Sequence, residues 1–267
     1  MGQKTFQNKW VWITGASSGI GKALSIELAK KGANLILSAR KKPDLDLVAK
    51  ECESYNSKVI VQVLDLAISD SIQSAFQSIQ SKSIKVEVLI NNGGMSQRGL
   101  VRDTVLSVHQ QLMQVNYLGA VELTSLVLPQ MIERKSGHIV GVSSIVGKFG
   151  FPLRSSYSAS KHALKGYLET LYLEENNNGI EVSIVYPGRI QTEISKHAID
   201  GKGNSHQKMD EGLQNGMDVT ECAKKIVRGL EKKRIEIFVG KRELLLLAIR
   251  RFTPSIFFKI AKNIKPV

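Results

Sequence analysis

The chain has 267 residues, 42% of them hydrophobic, and a formal net charge of +13; this is enough for a sizeable core in one large α/β domain or two small ones. Two distant cysteines, Cys52 and Cys222, exclude a disulfide framework and suit a reducing compartment, and five histidines without ligand spacing point to no metal. No apolar stretch approaches the roughly 20 residues of a membrane span, and Met1-Gly2-Gln3-Lys4-Thr5-Phe6 carries neither a secretory signal nor the Ser or Thr that myristoylation wants where Phe6 stands, so the expected location is cytoplasmic, at most peripheral to a membrane.

Short β-branched runs alternate with longer helical ones, the pattern of βαβ units around a parallel sheet. Residues 10–14 read as a first strand and 19–31 as a helix, with Ile20, Ala23, Leu24 and Leu28 on one face and Gly32 as C-cap. Residues 35–38 form a second strand, and Pro43 opens the next helix. A third strand at 58–64 precedes a helix at 71–81, and a fourth strand covers 86–91. A long helical region runs from about 104 to 135, followed by a fifth strand at 138–143. The helix 157–176 ends in Asn176-Asn177-Asn178-Gly179, a strong stop. A sixth strand, 181–186, closes on Pro187-Gly188.

The stretch 189–216, with Gly201, Gly203, Gly212 and Gly216, has little periodicity and reads as a long loop or partly helical lid, and loops this long in a compact domain are usually functional. Asp218-Val219-Thr220-Glu221 resembles a capping box, and a seventh strand follows at 235–239. No linker or repeat interrupts this order. The expected fold is therefore α/β: residues 1–240 as a doubly wound, Rossmann-type domain of about seven parallel strands, with 241–267 as a basic amphipathic extension of the same domain.

Two short patterns carry chemistry. In Ser156-Tyr157-Ser158-Ala159-Ser160-Lys161 the phenol and the ammonium are four residues apart and project from one helix face. A nearby cation favours phenolate and brings a group that titrates at about 10 toward the range of efficient acid–base catalysis. A solvent-facing pair would show the same spacing. Thr14-Gly15-Ala16-Ser17-Ser18-Gly19-Ile20-Gly21 lies between the first strand and first helix. There, helix N–H groups and glycines that admit a close backbone approach would hold a dinucleotide pyrophosphate. Its spacing is G-x-x-x-G-x-G rather than G-x-G-x-x-G.

These two patterns, with Asp65 after strand three, Asn91-Asn92-Gly93-Gly94 after strand four and Ser144 after strand five, resemble the short-chain dehydrogenase/reductase family over nearly the whole chain. Asn116 falls at the family's fourth catalytic position, and Pro187-Gly188 followed by Thr192 resembles its nicotinamide-side turn. The family commonly has Ala where this chain has Gly93, and the missing methyl is expected to loosen that turn slightly.

The resemblance implies a catalytic set of Asn116, Ser144, Tyr157 and Lys161. Tyr157 would protonate the substrate carbonyl oxygen, or remove the hydroxyl proton in reverse. Lys161 would lower its pKa and hold the nicotinamide ribose. Ser144 would donate to the oxygen where negative charge develops. Asn116 would interrupt its helix and hold a water linking Lys161 to solvent. The implied cofactor site is Gly15, Ser17, Ser18, Gly19, Ile20, Gly21, Asp65, Leu66, Asn92, Gly93, Gly94, Pro187, Gly188, Ile190 and Thr192, with Tyr157 and Lys161 shared.

The carboxylate of an NAD-type site would align at Ala39; instead Arg40 follows, with Lys41 and Lys42. A guanidinium matches a 2′-phosphate that a carboxylate would repel, so Arg40 joins the site and the expected cofactor is NADP(H). The expected activity is hydride transfer between the nicotinamide and a small-molecule carbonyl or secondary alcohol, with an apolar or acyl chain, in a homo-oligomer (dimer or tetramer). A catalytically weak NADP-binding scaffold or sensor on the same fold is the alternative.

Beyond the seventh strand, Leu244-Leu245-Leu246-Leu247-Ala248-Ile249, Arg250-Arg251 and the run from Ile256 to Lys262 interleave apolar residues with cations. Helices on an anionic membrane or over an apolar pocket have this look; packing on the body or on another subunit would use it too. From 224 to 267, thirteen Lys and Arg stand against three Glu, which is +10 and leaves +3 for the rest. No helix-turn-helix, zinc or aromatic-platform signature accompanies the charge, so no nucleic-acid partner is expected. The tail and residues 93–99 resemble the member-7B-like branch of the family, associated with reduction of acyl- or alkyl-dihydroxyacetone phosphate. Animal members of that branch carry an N-terminal membrane anchor, and none is read here.

Overall fold

The apolar runs become the strands of one parallel sheet in the computed structural model, which describes residues 5–264. Residues 1–4, where the start free of a signal is read, and 265–267 of the expected extension lie outside the described residues. The strands are β1 (Trp10–Thr14), β2 (Asn34–Ala39), β3 (Val59–Val63), β4 (Val86–Asn91), β5 (Gly137–Val142), β6 (Ile180–Pro187) and β7 (Glu236–Val239). Their order across the sheet is β3-β2-β1-β4-β5-β6-β7. The helices are α1 (Gly19–Lys30), α2 (Lys42–Glu53), α3 (Ser69–Gln80), α4 (Leu106–Met113), α5 (Gly119–Glu133), α6 (Ser155–Glu175), the short α7 (Glu211–Gln214), α8 (Val219–Glu231), α9 (Leu245–Phe252) and α10 (Pro254–Asn263).

Parallel strands covered on both faces must be apolar on both. Successive residues of β1 serve opposite cores. Val11 and Ile13 join Leu24 and Leu28 of α1, Leu45 of α2 and Ile226 of α8. Trp12 points the other way, to Ile72 of α3, Leu123 of α5 and Leu168 of α6. The strand order reverses between β1 and β4, and in such sheets the crevice beyond the carboxyl ends at that switch point receives ligands.

Three stretches gain detail beyond the sequence reading. The region 104–135 is not one helix: α4 and α5 are joined by a π-helical turn, Gln114–Leu118, because Asn116 turns inward to backbone of a neighbouring loop. The stretch 189–216 is partly helical, one of the two forms read from the sequence. It contains a 3-10 turn, Glu193–Ser195, the helix α7, and a two-residue strand, Ile199–Asp200, paired in parallel with Gln97–Arg98. The tail forms two helices separated at Pro254. Phe257 of α10 is buried with its ring 4.9 Å from Phe149, so this part of the extension is packed on the body. The expected cap at Asp218 is present, its carboxylate accepting from Thr220 N and Glu221 N at 2.9 Å each.

Candidate active site

At the carboxyl ends of β1 and β4 the chain leaves no room for side chains. Gly15 and Gly19 have φ of +64° and +52°, a left-handed backbone that favours glycine. A Cβ on Gly15 would lie 2.7 Å from Gly93 Cα, and one on Gly21 only 2.1 Å from Gly15 O. Thr14 Oγ1 staples the two loops, accepting from Asn92 N at 3.1 Å and Gly93 N at 2.9 Å. Asn92 Nδ2 donates back to Thr14 O at 3.0 Å. The Ser18 side chain does not cap α1, so the helix opens toward the crevice with N–H groups suited to an anion. This cradle fits a dinucleotide pyrophosphate.

Leu66 Cδ1 lies 2.6 Å from where a Gly93 Cβ would sit, so this leucine occupies the space that a methyl at position 93 would take.

The cradle opens into a cavity of about 870 Å³, at the upper end of the roughly 300–1,000 Å³ typical of ligand sites. Ser144, Tyr157 and Lys161 line its other end. α6 begins at Ser155, so Tyr157 sits in its first turn and Lys161 one turn on. The Lys161 ammonium is buried, donates to Val142 O at 2.8 Å and lies 5.9 Å from the Tyr157 ring centre. Burial pushes Lys161 down to about 8. Ser144 Oγ reaches Pro187 O at 3.4 Å, tying the end of β5 to the turn after β6.

Tyr157 behaves differently from its sequence reading. Burial raises its pKa; the Ser144 side chain, Arg98 and Arg154 pull it back, and Lys161 is not among the causes. Asn116 is buried behind the floor. Its Oδ1 accepts from Met95 N at 2.8 Å, and its Nδ2 donates to Met95 O at 3.0 Å and Ser160 Oγ at 2.9 Å. The expected helix interruption is present, but this side chain is spent on clamping Met95 and Ser160.

Of the expected site residues, all but Gly21 and Asn116 line the cavity; those two support it from behind. Arg40 is exposed at the cradle end, beside Lys41.

The sequence reading missed the charged wall opposite. Asp210 is buried between two guanidiniums. Arg98 Nη2 donates to its Oδ2 at 2.6 Å and Arg98 Nε to Oδ1 at 3.1 Å; Arg154 Nη2 donates to Oδ2 at 2.7 Å. Burial and then Arg98 push Arg154 down to about 10, against the pull of Asp210. The reading also missed Glu243, whose carboxylate meets the turn after β6. No local pattern marks any of these residues. Apolar side chains complete the cavity: Met95, Phe149, Phe151, Ile194, Leu213 and Leu246.

Residues 9–203 match the family model described as short chain dehydrogenase. The chain is 39% identical over 259 residues to the dehydrogenase/reductase SDR family protein 7-like of Drosophila melanogaster, covering 94% of this chain and 79% of that one. It is 36% identical over 263 residues to the SDR family member 7B of Danio rerio, covering 95% and 84%. Among solved structures it is similar to a short-chain dehydrogenase from Sphingobium yanoikuyae in complex with NADPH, with a TM-score of 0.78 and 25% identity over 97% of each chain.

Proposed function

We propose, because this chain belongs to the short chain dehydrogenase family and is therefore an oxidoreductase, that it is an NADP(H)-dependent enzyme acting on a carbonyl or secondary alcohol with an apolar or acyl chain. The observation that carries this reading is the meeting of Ser144, Tyr157 and Lys161 in one cavity with a glycine cradle at its other end. A nicotinamide dinucleotide bound along it supplies or accepts the hydride.

The chain's own side chains do the rest. Burial keeps the Tyr157 proton in place, so the phenol can donate it to the substrate oxygen as charge develops there. Ser144, Arg98 and Arg154 ease the phenolate left behind. Ser144 also donates a hydrogen bond to the developing oxyanion. Lys161, held down to about 8 by burial, is still largely a cation at neutral pH and would hold the nicotinamide ribose. In the reverse direction Tyr157 takes the hydroxyl proton.

Arg40, with Ala39 where a carboxylate would stand, supports NADP(H) over NAD(H). The apolar lining supports a substrate with a hydrocarbon chain. A homo-oligomer in the cytoplasm completes the reading; exposed Leu106 and Leu173 suit subunit contacts. None of the described helices is long and apolar enough to cross a membrane. Exposed Leu245, Phe252, Ile256 and Phe258, beside Arg250, Arg251 and Lys259, support weak contact with an anionic lipid surface. Residues 241–267 belong, on this reading, to the same domain as 1–240.

The test is NADPH oxidation over ketones, 3-oxoacyl thioesters and dihydroxyacetone-phosphate esters, with Tyr157→Phe beside the wild type. Turnover of at least one class is expected. Tyr157→Phe should lose on the order of 10²–10⁴-fold in kcat with NADPH affinity unchanged. A wild type that binds NADPH and turns over none of them would favour the scaffold instead.

A further inference from the structure

After β7 the chain turns through Gly240 and brings Glu243 against the 187–192 turn. Glu243 Oε1 accepts from Arg189 N at 2.8 Å and from Lys241 N at 3.1 Å. It is so close that a Cβ on Gly188 would lie 2.2 Å from it, and one on Gly240 2.7 Å. Gly188 N donates to Val239 O at 2.7 Å, so β7 and Glu243 hold this turn together. Neither cation just before it pairs with it: Lys241 Nζ donates to Gly216 O at 2.8 Å, and the adjacent Arg242 is exposed and forms no ion pair with Glu243 among the described residues. Both partners of the Glu243 carboxylate are thus backbone amides, which carry no full charge. The carboxylate is half-buried in the cavity wall, and so brings a negative charge to it.

The function proposed above, on which this inference rests, puts the nicotinamide ring beside the same turn, because Ser144 Oγ, next to the substrate oxygen, touches Pro187 O. That ring is a cation when oxidised and neutral when reduced. We propose that Glu243 is a specificity-determining residue for the oxidation state of the cofactor. Its charge favours the oxidised form, while its two backbone contacts hold the turn for both forms. A carboxylate in a partly dry wall acts more strongly on such a cation than it would in water, and added salt weakens it.

Two substitutions separate charge from positioning. Glu243→Gln keeps an oxygen for the two amides and removes the charge; Glu243→Ala removes both. Each variant and the wild type would be titrated calorimetrically with NADP+ and, separately, with NADPH at low ionic strength. In Glu243→Gln the Kd for NADP+ should rise about three- to tenfold, the range for one charge facing another across a partly solvated wall, while that for NADPH stays within about twofold. Glu243→Ala should weaken both forms, with the same skew. Added salt should shrink the preference of the wild type and leave that of Glu243→Gln unchanged. If wild type binds both forms and Glu243→Gln leaves their ratio where it was, the role of Glu243 is overturned and the dinucleotide site stands. If wild type binds neither form, the site itself is misread and this inference falls with it.

Discussion

At the dinucleotide end of the cavity backbone lies against backbone, with Gly15, Gly21 and Gly93 leaving out the atoms that would collide. At the substrate end the wall is held by charge. Asp210 takes four hydrogen bonds, three from Arg98 and one from Arg154, out of contact with water. The first end is shaped by omission, so it tolerates little addition. The second is shaped by burying ions, which is costly unless each stays paired, so it tolerates little deletion. The difference also assigns tasks: a fixed cradle suits an invariant dinucleotide, and a wall carried by a long segment can vary with the substrate.

The largest effect is therefore expected from a deletion in the charged wall. Asp210→Ala leaves Arg98 and Arg154 without the carboxylate between them and should cost about 3–5 kcal/mol. The readout is a fall in the urea midpoint at unchanged slope. A loss below about 1 kcal/mol, the scale of an exposed ion pair, would break the contrast.

An addition at the other end comes next. In Gly21→Ala the new methyl meets Gly15 O at 2.1 Å, backbone that cannot swing aside. About 1–3 kcal/mol of stability should be lost, and NADPH binding should fail before folding does. A titration of the folded variant checks this; near-normal affinity would mean the cradle is less tight than its geometry.

The smallest effect on the fold, and the sharpest on specificity, should come at the rim of the cradle. Arg40 is exposed, so Arg40→Asp should leave stability within about 0.5 kcal/mol. The ratio of kcat/KM for NADPH to that for NADH should reverse, since a carboxylate repels the 2′-phosphate and accepts from a ribose hydroxyl. An unchanged ratio would make Arg40 a surface charge and nothing more.

The same contrast explains what could be read from the sequence. The cradle's signal is local: Thr14, Gly15, Gly19 and Gly21 fall within eight consecutive residues of one strand–helix junction, and Gly93 in the short run Asn91-Asn92-Gly93-Gly94. The strands were legible because burial on both faces makes them unbroken apolar runs. The charged wall has no such signal. Asp210 meets partners 112 and 56 residues away, and nothing in its neighbourhood singles it out. Glu243 meets Arg189 across 54 residues and is equally silent. The Tyr157–Lys161 pair was found, but its electrostatics depend on how deeply the cavity buries the phenol and on two arginines that spacing does not reveal.

The break between α4 and α5 was expected only through the family resemblance, because no local pattern shows it. Gln114-Val115-Asn116-Tyr117-Leu118 is ordinary helical sequence, and the π turn goes with the hydrogen bonds of Asn116 to Met95 and Ser160, partners that the run itself does not reveal. A π turn holds one residue more than an α-helical turn needs. Loss of a single codon within 114–118 would therefore let α4 and α5 run on as one regular helix, the kind of change a fold accepts easily. The same loss would draw Asn116 away from Met95 and Ser160. At this point in the gene, a tolerable indel for the scaffold and a damaging one for the site are the same event.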